Sequence, residues 1–128
     1  MCKKNNFSPN TIRFIMKKKS TELPASLEAR INAKTPLLLV FHAQWCQPCK
    51  GLTPILVDLG KQMGDGIIIQ KIDVDHEKSI SDFFGVKSMP TLFLFQQGEL
   101  VWKHVGIIAK TQLEHVIKTK TVKPYLLK

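Results

Sequence analysis

The sequence predicts an α/β protein in which helices cover both faces of a mixed central β-sheet, a three-layer α/β/α sandwich. Two observations support this prediction. Apolar runs at 37–42 and 67–74 are typical of strands buried on both faces, and segments with helical spacing of apolar residues precede, separate and follow them. Two further strands, joined by the short polar segment 96–99, indicate an antiparallel hairpin. Because strand–helix–strand connections pair strands in parallel, the sheet should be mixed.

The elements of the first half have clear local signatures. Leu23, Leu27 and Ile31 recur at four-residue intervals, which predicts an amphipathic helix over 21–34. A second helix is predicted after the first strand, and Pro54 should kink it because proline removes one internal hydrogen bond. The apolar residues of this helix are Leu52, Ile55, Leu56, Leu59 and Met63.

The second half continues the alternation and ends on a helix. Gly64-Asp65-Gly66 predicts a turn, and Gly85 predicts the end of a short helix. The remaining predicted elements are a helix at 76–84, strands at 91–95 and 100–105, and a helix at 110–119 with Leu113, Val116 and Ile117 facing inward. We also expect an edge strand over Thr11–Met16.

Length and composition indicate one domain with a basic segment at each end. The chain has 128 residues and is 44% apolar, a size at which a single core can form. We assign 21–120 to the domain, 1–20 to a flexible basic segment and 121–128 to a basic tail. The net charge of +9 comes mainly from the ends, since 1–20 carries six basic residues and no acidic one. The ends are solvated lysine-rich segments, or they bind an acidic partner or surface.

Cysteine usage and hydropathy favour a protein of the reducing cytoplasm. No apolar stretch approaches the ~20 residues of a membrane span, and the N-terminus lacks the apolar core of a secretory signal. Three cysteines do not make a disulfide scaffold, and Cys2 is expected to be an incidental thiol. A zinc site would need two more ligands at close spacing, so no metal is expected. Basic and aromatic residues do not interleave, so no nucleic acid is expected either.

The segment Trp45-Cys46-Gln47-Pro48-Cys49-Lys50 joins the first buried strand to the next helix. A C-x-x-C at such a junction is the sequence form of a dithiol redox site. The first thiol would lie at the helix N-terminus, where unpaired N–H groups and the helix dipole favour the thiolate that attacks disulfides. We therefore expect Cys46 to be the nucleophile and Cys49 the resolving thiol. Lys50 either helps to stabilise the Cys46 thiolate or is solvated surface.

These residues resemble the thioredoxin family. The Trp-Cys-x-Pro-Cys-Lys signature is accompanied, in family order and spacing, by Pro54, Met89-Pro90-Thr91, the turn Phe95–Glu99 and Val105-Gly106. The resemblance implies a thioredoxin fold and reduction of protein disulfides without a bound cofactor. It also implies a thioredoxin reductase as partner, which recharges the Cys46–Cys49 pair with electrons from NADPH, and we expect a monomer. Pro48 is typical of reducing members, whereas Gln47 replaces the usual glycine and should change the potential only modestly.

The resemblance also implies roles for residues around the thiols. Pro90 is expected to be cis and to face the sulfurs, and the backbone of Met89 to pair with an extended substrate segment. Trp45 is expected to cover the site, and Gly106 to keep the substrate groove free of a side chain. A plain turn at Met89-Pro90 and simple packing of Trp45 remain as alternatives.

Two positions depart from the family pattern. Val40 stands where the family usually has a buried aspartate, implicated in proton transfer from the resolving cysteine. Because an unpaired buried ammonium is costly, Lys71 should reach the surface or find another carboxylate, such as Asp73 or Asp75. His42 replaces a common aromatic residue, so it is a candidate proton shuttle or a histidine that simply fills the aromatic position.

The sequence therefore predicts a cytoplasmic, thioredoxin-like protein-disulfide reductase, and two alternatives remain open. The first is an exported or membrane-tethered thiol reductase whose targeting segment is absent or misread. The second is a thioredoxin-like binding module with little redox turnover. The loss of the buried acid favours this alternative. The intact Cys46, Cys49 and Pro90 count against the binding module.

Overall fold

A mixed four-stranded sheet organises the computed structural model, which describes residues 23–123 and 126. The strands are β1 (Leu37–His42), β2 (Ile68–Asp73), β3 (Thr91–Gln96) and β4 (Glu99–Val105), in the order β2-β1-β3-β4. The α-helices are α1 (Ala25–Asn32), α2 (Gln47–Met63), α3 (Lys78–Phe83) and α4 (Lys110–Lys120), and a 3₁₀ turn, Gly64–Gly66, follows α2. β1 is parallel to β2 and antiparallel to β3, which is antiparallel to β4, so the predicted mixed sheet is confirmed.

The central strand β1 separates two cores. Leu37, Leu39 and Phe41 pack with buried residues of α1 and α3, whereas Leu38 and Val40 pack with buried residues of α2 and α4. All five of these side chains are at most 1% exposed. Burial on both faces explains why the strand is a continuous apolar run, and it confirms the three-layer arrangement of helices around the sheet.

Helix α2 begins close to the carboxyl end of β1 and thereby fixes the position of the cysteines. Pro48 lies in its first turn, where proline is tolerated because the first backbone N–H groups have no partner within the helix. Leu52, Leu56 and Leu59 are buried against the sheet, as their spacing predicted. The helix continues past Pro54 to Met63, and a kink at Pro54 stays a prediction.

Several predicted boundaries differ from those in the structure, and two of the differences have a clear cause. Gln96 and Glu99 are paired in the ladder, so the hairpin turn consists of Gln97 and Gly98 and is shorter than the predicted 96–99. Helix α3 starts at Lys78 and not at 76, because the backbone N–H groups of the preceding turn bond to Asp73. The predicted edge strand at 11–16 and the basic segment 1–20 lie outside the described residues.

Candidate functional site

The two cysteines lie where the chain leaves β1 and enters α2. Cys46 N donates to the carbonyl oxygen of Ala43 (3.2 Å), and Cys46 is the N-cap of α2. Its Sγ accepts a hydrogen bond from the backbone N–H of Cys49 (3.3 Å). A disulfide bond joins the two residues, which are 5% and 6% exposed. The N–H groups and positive dipole end of α2 therefore act on the Cys46 sulfur, as the sequence predicted.

The segment before β3 and the loop after β4 complete the surroundings of Cys46. The Met89–Pro90 peptide bond is cis, as expected, and Cys46 Sγ lies 3.7 Å from the carbonyl oxygen of Met89. The backbone N–H of Gly106 donates to the carbonyl oxygen of Pro90 (2.8 Å). Gly106 has a φ of +102°, and a Cβ at this position would have no other atom within 4 Å. The structure thus brings together three segments that are far apart in sequence, those of Cys46, Met89-Pro90 and Gly106.

Three exposed apolar side chains lie next to these residues in sequence, and we call them the apolar rim. Trp45 is 66% exposed, and Val105 and Ile107 are 54% and 53% exposed. The indole Nε1 of Trp45 donates to Asp75 Oδ2 (2.9 Å), which fixes the ring at the surface. Its exposure argues against a simple packing role, because a residue that only filled the core would be buried.

The remaining residues of the motif lie on the surface. Gln47, Pro48 and Lys50 are all exposed in the first turn of α2, which contains no acidic residue. The backbone N–H of Lys50 donates to the carbonyl oxygen of Cys46 (3.4 Å). A cation in the first turn opposes the helix dipole but adds positive potential near Cys46.

Val40 and Lys71 are paired in register on β1 and β2, but they lie in different environments. Val40 is 1% exposed, whereas Lys71 is exposed. Of the two outcomes expected for Lys71, the structure shows the surface position. Its Nζ donates to the hydroxyl of Thr53 (3.2 Å), and that hydroxyl donates to the carbonyl oxygen of Cys49 (3.4 Å). The partner of Lys71 is therefore a threonine and not a carboxylate.

His42 is half-buried at the end of β1, opposite Asp73 on β2. Burial lowers the pKa of His42, the nearby positive charge of Lys71 lowers it further, and the negative charge of Asp73 partly offsets both. Partial burial would raise the pKa of Asp73, but hydrogen bonds from the backbone N–H of Asp75 and from His76 outweigh it and lower that pKa. His76 Nδ1 lies 3.1 Å from Asp73 Oδ2. At neutral pH His42 is thus predominantly neutral, the form that can accept a proton.

Sequence reasoning missed Thr53 in this region, and it named Asp75 only as a possible partner of Lys71. Thr53 connects Lys71 to Cys49, and Asp75 accepts the hydrogen bond of Trp45. Thr53 could have been noticed, because it lies four residues after Cys49 and therefore on the same face of α2. Its contact with Lys71 depends on how α2 packs on β2, for which the sequence carries no local signal.

The described residues contain no group of three or more histidine, cysteine or acidic residues that could hold a metal ion. Within the same part of the chain, no helix is long and apolar enough to cross a bilayer.

Comparisons with known proteins give a consistent result. The family model described as Thioredoxin matches residues 18–119. A thioredoxin of Haemophilus influenzae is 40% identical over 87 residues, which cover 68% of this chain and 81% of that protein. A thioredoxin of Bacillus subtilis is 41% identical over 81 residues, covering 63% and 78%. Among solved structures, a mutant thioredoxin from Halobacterium salinarum aligns with a TM-score of 0.70 at 33% identity, covering 78% of this chain and 87% of the other.

Proposed function

Because the chain belongs to the thioredoxin family and is a protein-disulfide reductase, we propose that Cys46 attacks substrate disulfides and that Cys49 completes their reduction. The single observation that carries these roles is the position of the Cys46 sulfur. It caps α2, accepts the N–H of Cys49 and lies 3.7 Å from the carbonyl oxygen of Met89. Cys49 lies in the first turn of the helix and donates its backbone N–H to this sulfur, which places Cys46 where a thiolate is favoured.

The reaction proceeds by two thiol–disulfide exchanges. The Cys46 thiolate attacks one sulfur of the substrate disulfide, and the other sulfur leaves with the bonding electron pair and takes up a proton. The Cys49 thiolate then attacks Cys46 Sγ, which breaks the mixed disulfide and forms the Cys46–Cys49 bond. Two electrons have passed to the substrate, and the protein is left in the oxidised form that the structure shows.

We place the substrate segment between the apolar rim and the Met89 backbone. An extended segment that pairs with the backbone at Met89 would bring its sulfur next to Cys46, and Gly106 leaves the opposite side without a side chain. Trp45, Val105 and Ile107 would cover apolar side chains that flank the substrate cysteine. Gln47 and Pro48 are exposed beside Cys46 and would contact the same segment, and Lys50 would support the thiolate by its charge.

His42 is proposed to accept the proton that Cys49 loses. Its lowered pKa keeps the ring neutral at pH 7, and it ends the strand that leads into the site. If His42 only fills an aromatic position, His42→Phe should keep the wild-type pH profile of the second exchange. If it accepts the proton, the same substitution should slow the second exchange and shift its pH profile.

We further propose the setting in which the reductase works. A thioredoxin reductase recharges the Cys46–Cys49 disulfide with electrons from NADPH, and the protein itself needs no bound cofactor. It acts in the cytoplasm as a monomer on proteins with accessible disulfides. Bacterial relatives named thioredoxin support this setting, as does the presence of only three cysteines.

Turnover of a protein disulfide tests the proposal. With dithiothreitol as electron donor, the wild-type chain should reduce a small protein substrate faster than the donor alone, and Cys46→Ser should remove this acceleration. Cys2→Ser is the matched control and should behave as wild type. A wild-type protein that shows no acceleration would contradict the proposed roles and would favour a binding module instead.

A further inference from the structure

Two hydrogen bonds connect β2 to the resolving cysteine through Thr53. Lys71 Nζ donates to Thr53 Oγ1 (3.2 Å), and Thr53 Oγ1 donates to the carbonyl oxygen of Cys49 (3.4 Å). The ammonium nitrogen therefore lies no farther from this carbonyl oxygen than the sum of the two lengths. A positive charge is held close to the residue that must become a thiolate in the second exchange.

Lys71 depends on Thr53 for this position. Its neighbour in register, Val40, offers no polar atom, and the ion pairs within residues 23–123 do not include Lys71. A lysine side chain is long and loses conformational freedom when it is fixed, so an exposed ammonium without a partner would sample many rotamers. Thr53 is partly buried on α2 and presents its hydroxyl from a rigid helix.

We propose that Thr53 is a positioning residue for the resolving step: it holds the Lys71 cation beside Cys49, so that the charge favours the Cys49 thiolate. The proposal rests on the exchange roles given above for Cys46 and Cys49. In this step the Cys49 thiolate attacks Cys46 Sγ, the bond from Cys46 to the substrate sulfur breaks, and that sulfur leaves with the electron pair. The proton from Cys49 passes to His42 or to water.

Other titratable groups lie on the elements next to Cys49, and the described hydrogen bonds do not link them to its carbonyl oxygen as they link Lys71. His42 ends β1, and Asp73 lies opposite it on β2 with its carboxylate engaged by N–H groups of the following turn. Lys50 is exposed one residue after Cys49. The charge of Asp73 opposes a Cys49 thiolate, so the cation of Lys71 also offsets a nearby negative charge.

Stopped-flow reaction with 5,5′-dithiobis(2-nitrobenzoate) separates the two exchanges. Attack by Cys46 releases one nitrothiobenzoate, and attack by Cys49 on the resulting mixed disulfide releases the second. A Cys2→Ser background limits the signal to this pair. The Lys71 nitrogen lies within about 7 Å of the Cys49 backbone. At a separation of this order, a charge screened as strongly as in water changes the thiolate population about threefold. We therefore expect Thr53→Ala to slow the second phase about threefold at pH 7 and to move its pH midpoint upward.

The controls distinguish positioning from a general structural effect. Thr53→Ser keeps the hydroxyl and should restore the wild-type second phase, and the first phase should be the same in all variants. Lys71→Gln should slow the second phase at least as much as Thr53→Ala, and the double variant should be no slower than Lys71→Gln alone. If Thr53→Ala keeps its full effect in the Lys71→Gln background, or leaves the pH midpoint unmoved, the proposal is wrong. A wild-type protein that never releases the second nitrothiobenzoate would instead contradict the role of Cys49 itself.

Discussion

Gly106 allows the proposed substrate groove to be tested separately from the chemistry of the thiols. Its φ of +102° is a conformation in which side chains are strained, and its N–H donates to the carbonyl oxygen of Pro90 (2.8 Å). Gly85, at the end of α3, has a φ of +67° and equally open surroundings, but it is not part of the site. Gly106→Ala and Gly85→Ala therefore form a matched pair.

The structure sets the expected cost in stability. A Cβ at Gly106 or Gly85 would meet no atom within 4 Å, so the cost is backbone strain alone. A left-handed conformation costs a non-glycine residue about 1–2 kcal/mol, and more sparsely populated regions cost up to about 3 kcal/mol. Since +102° lies farther from the left-handed helical value, Gly106→Ala should lose about 2–3 kcal/mol in urea unfolding, and Gly85→Ala about 1–2 kcal/mol.

Activity should distinguish the two variants. If the methyl group at Gly106 displaces one backbone hydrogen bond of the substrate, the loss is about 1–1.5 kcal/mol, or a fall of roughly 5- to 12-fold in kcat/KM for a protein disulfide. The small disulfide 5,5′-dithiobis(2-nitrobenzoate) has no backbone to pair with Met89, so it should react with Gly106→Ala at the wild-type rate. Gly85→Ala should leave both rates unchanged. Equal losses on both substrates, or no loss with Gly106→Ala, would refute the assignment of a groove at Gly106.

Three further predictions concern other residues. Cys49→Ser should accumulate a mixed disulfide with the substrate, visible by mass spectrometry of the unreduced protein, and rapid release of substrate would contradict the resolving role. Because the folded-state pKa of His42 lies below its usual 6.5, the unfolded chain binds the proton more tightly, and the free energy of unfolding should fall as the pH drops through about 6.5. In urea titrations at several pH values, His42→Asn should make this decrease in the free energy of unfolding smaller. An unchanged dependence on pH would contradict its assignment to His42. Gln96→Ala loses the hydrogen bonds that buried Gln96 makes to Lys34 and Val122, so it should cost about 2–4 kcal/mol in urea unfolding, and a loss below ~1 kcal/mol would contradict this.

Strand β1 shows what the sequence predicts well. Its bounds, Leu37–His42, are those expected from the apolar run, because each side chain up to Phe41 is buried in one of the two cores. The cysteine pair was equally predictable, since a C-x-x-C between a buried strand and a helix places the first sulfur at the helix N-terminus. Both predictions depend on local sequence alone.

The β3–β4 turn and the partner of Lys71 show where prediction from sequence fails. Gln97 and Gly98 have φ values of +52° and +81°, and glutamine is not a residue that signals a turn with two positive φ values. The contact between Lys71 and Thr53 joins residues 18 positions apart on different elements. Such a contact depends on the packing of α2 against β2, and side-chain pairing across elements leaves no periodic pattern in the chain.

Val40 explains the arrangement of the polar groups near Cys49. An aliphatic side chain at this buried position contributes about 1.5–3 kcal/mol through burial, whereas a carboxylate there would need a charged partner. With valine at 40, this buried position offers no carboxylate to pair with Lys71. The lysine therefore extends to the surface and donates to Thr53. The same cation helps to keep His42 neutral. On our proposals, this chain therefore divides between two residues what one buried acid would combine: Lys71 supplies the charge near Cys49, and His42 accepts the proton.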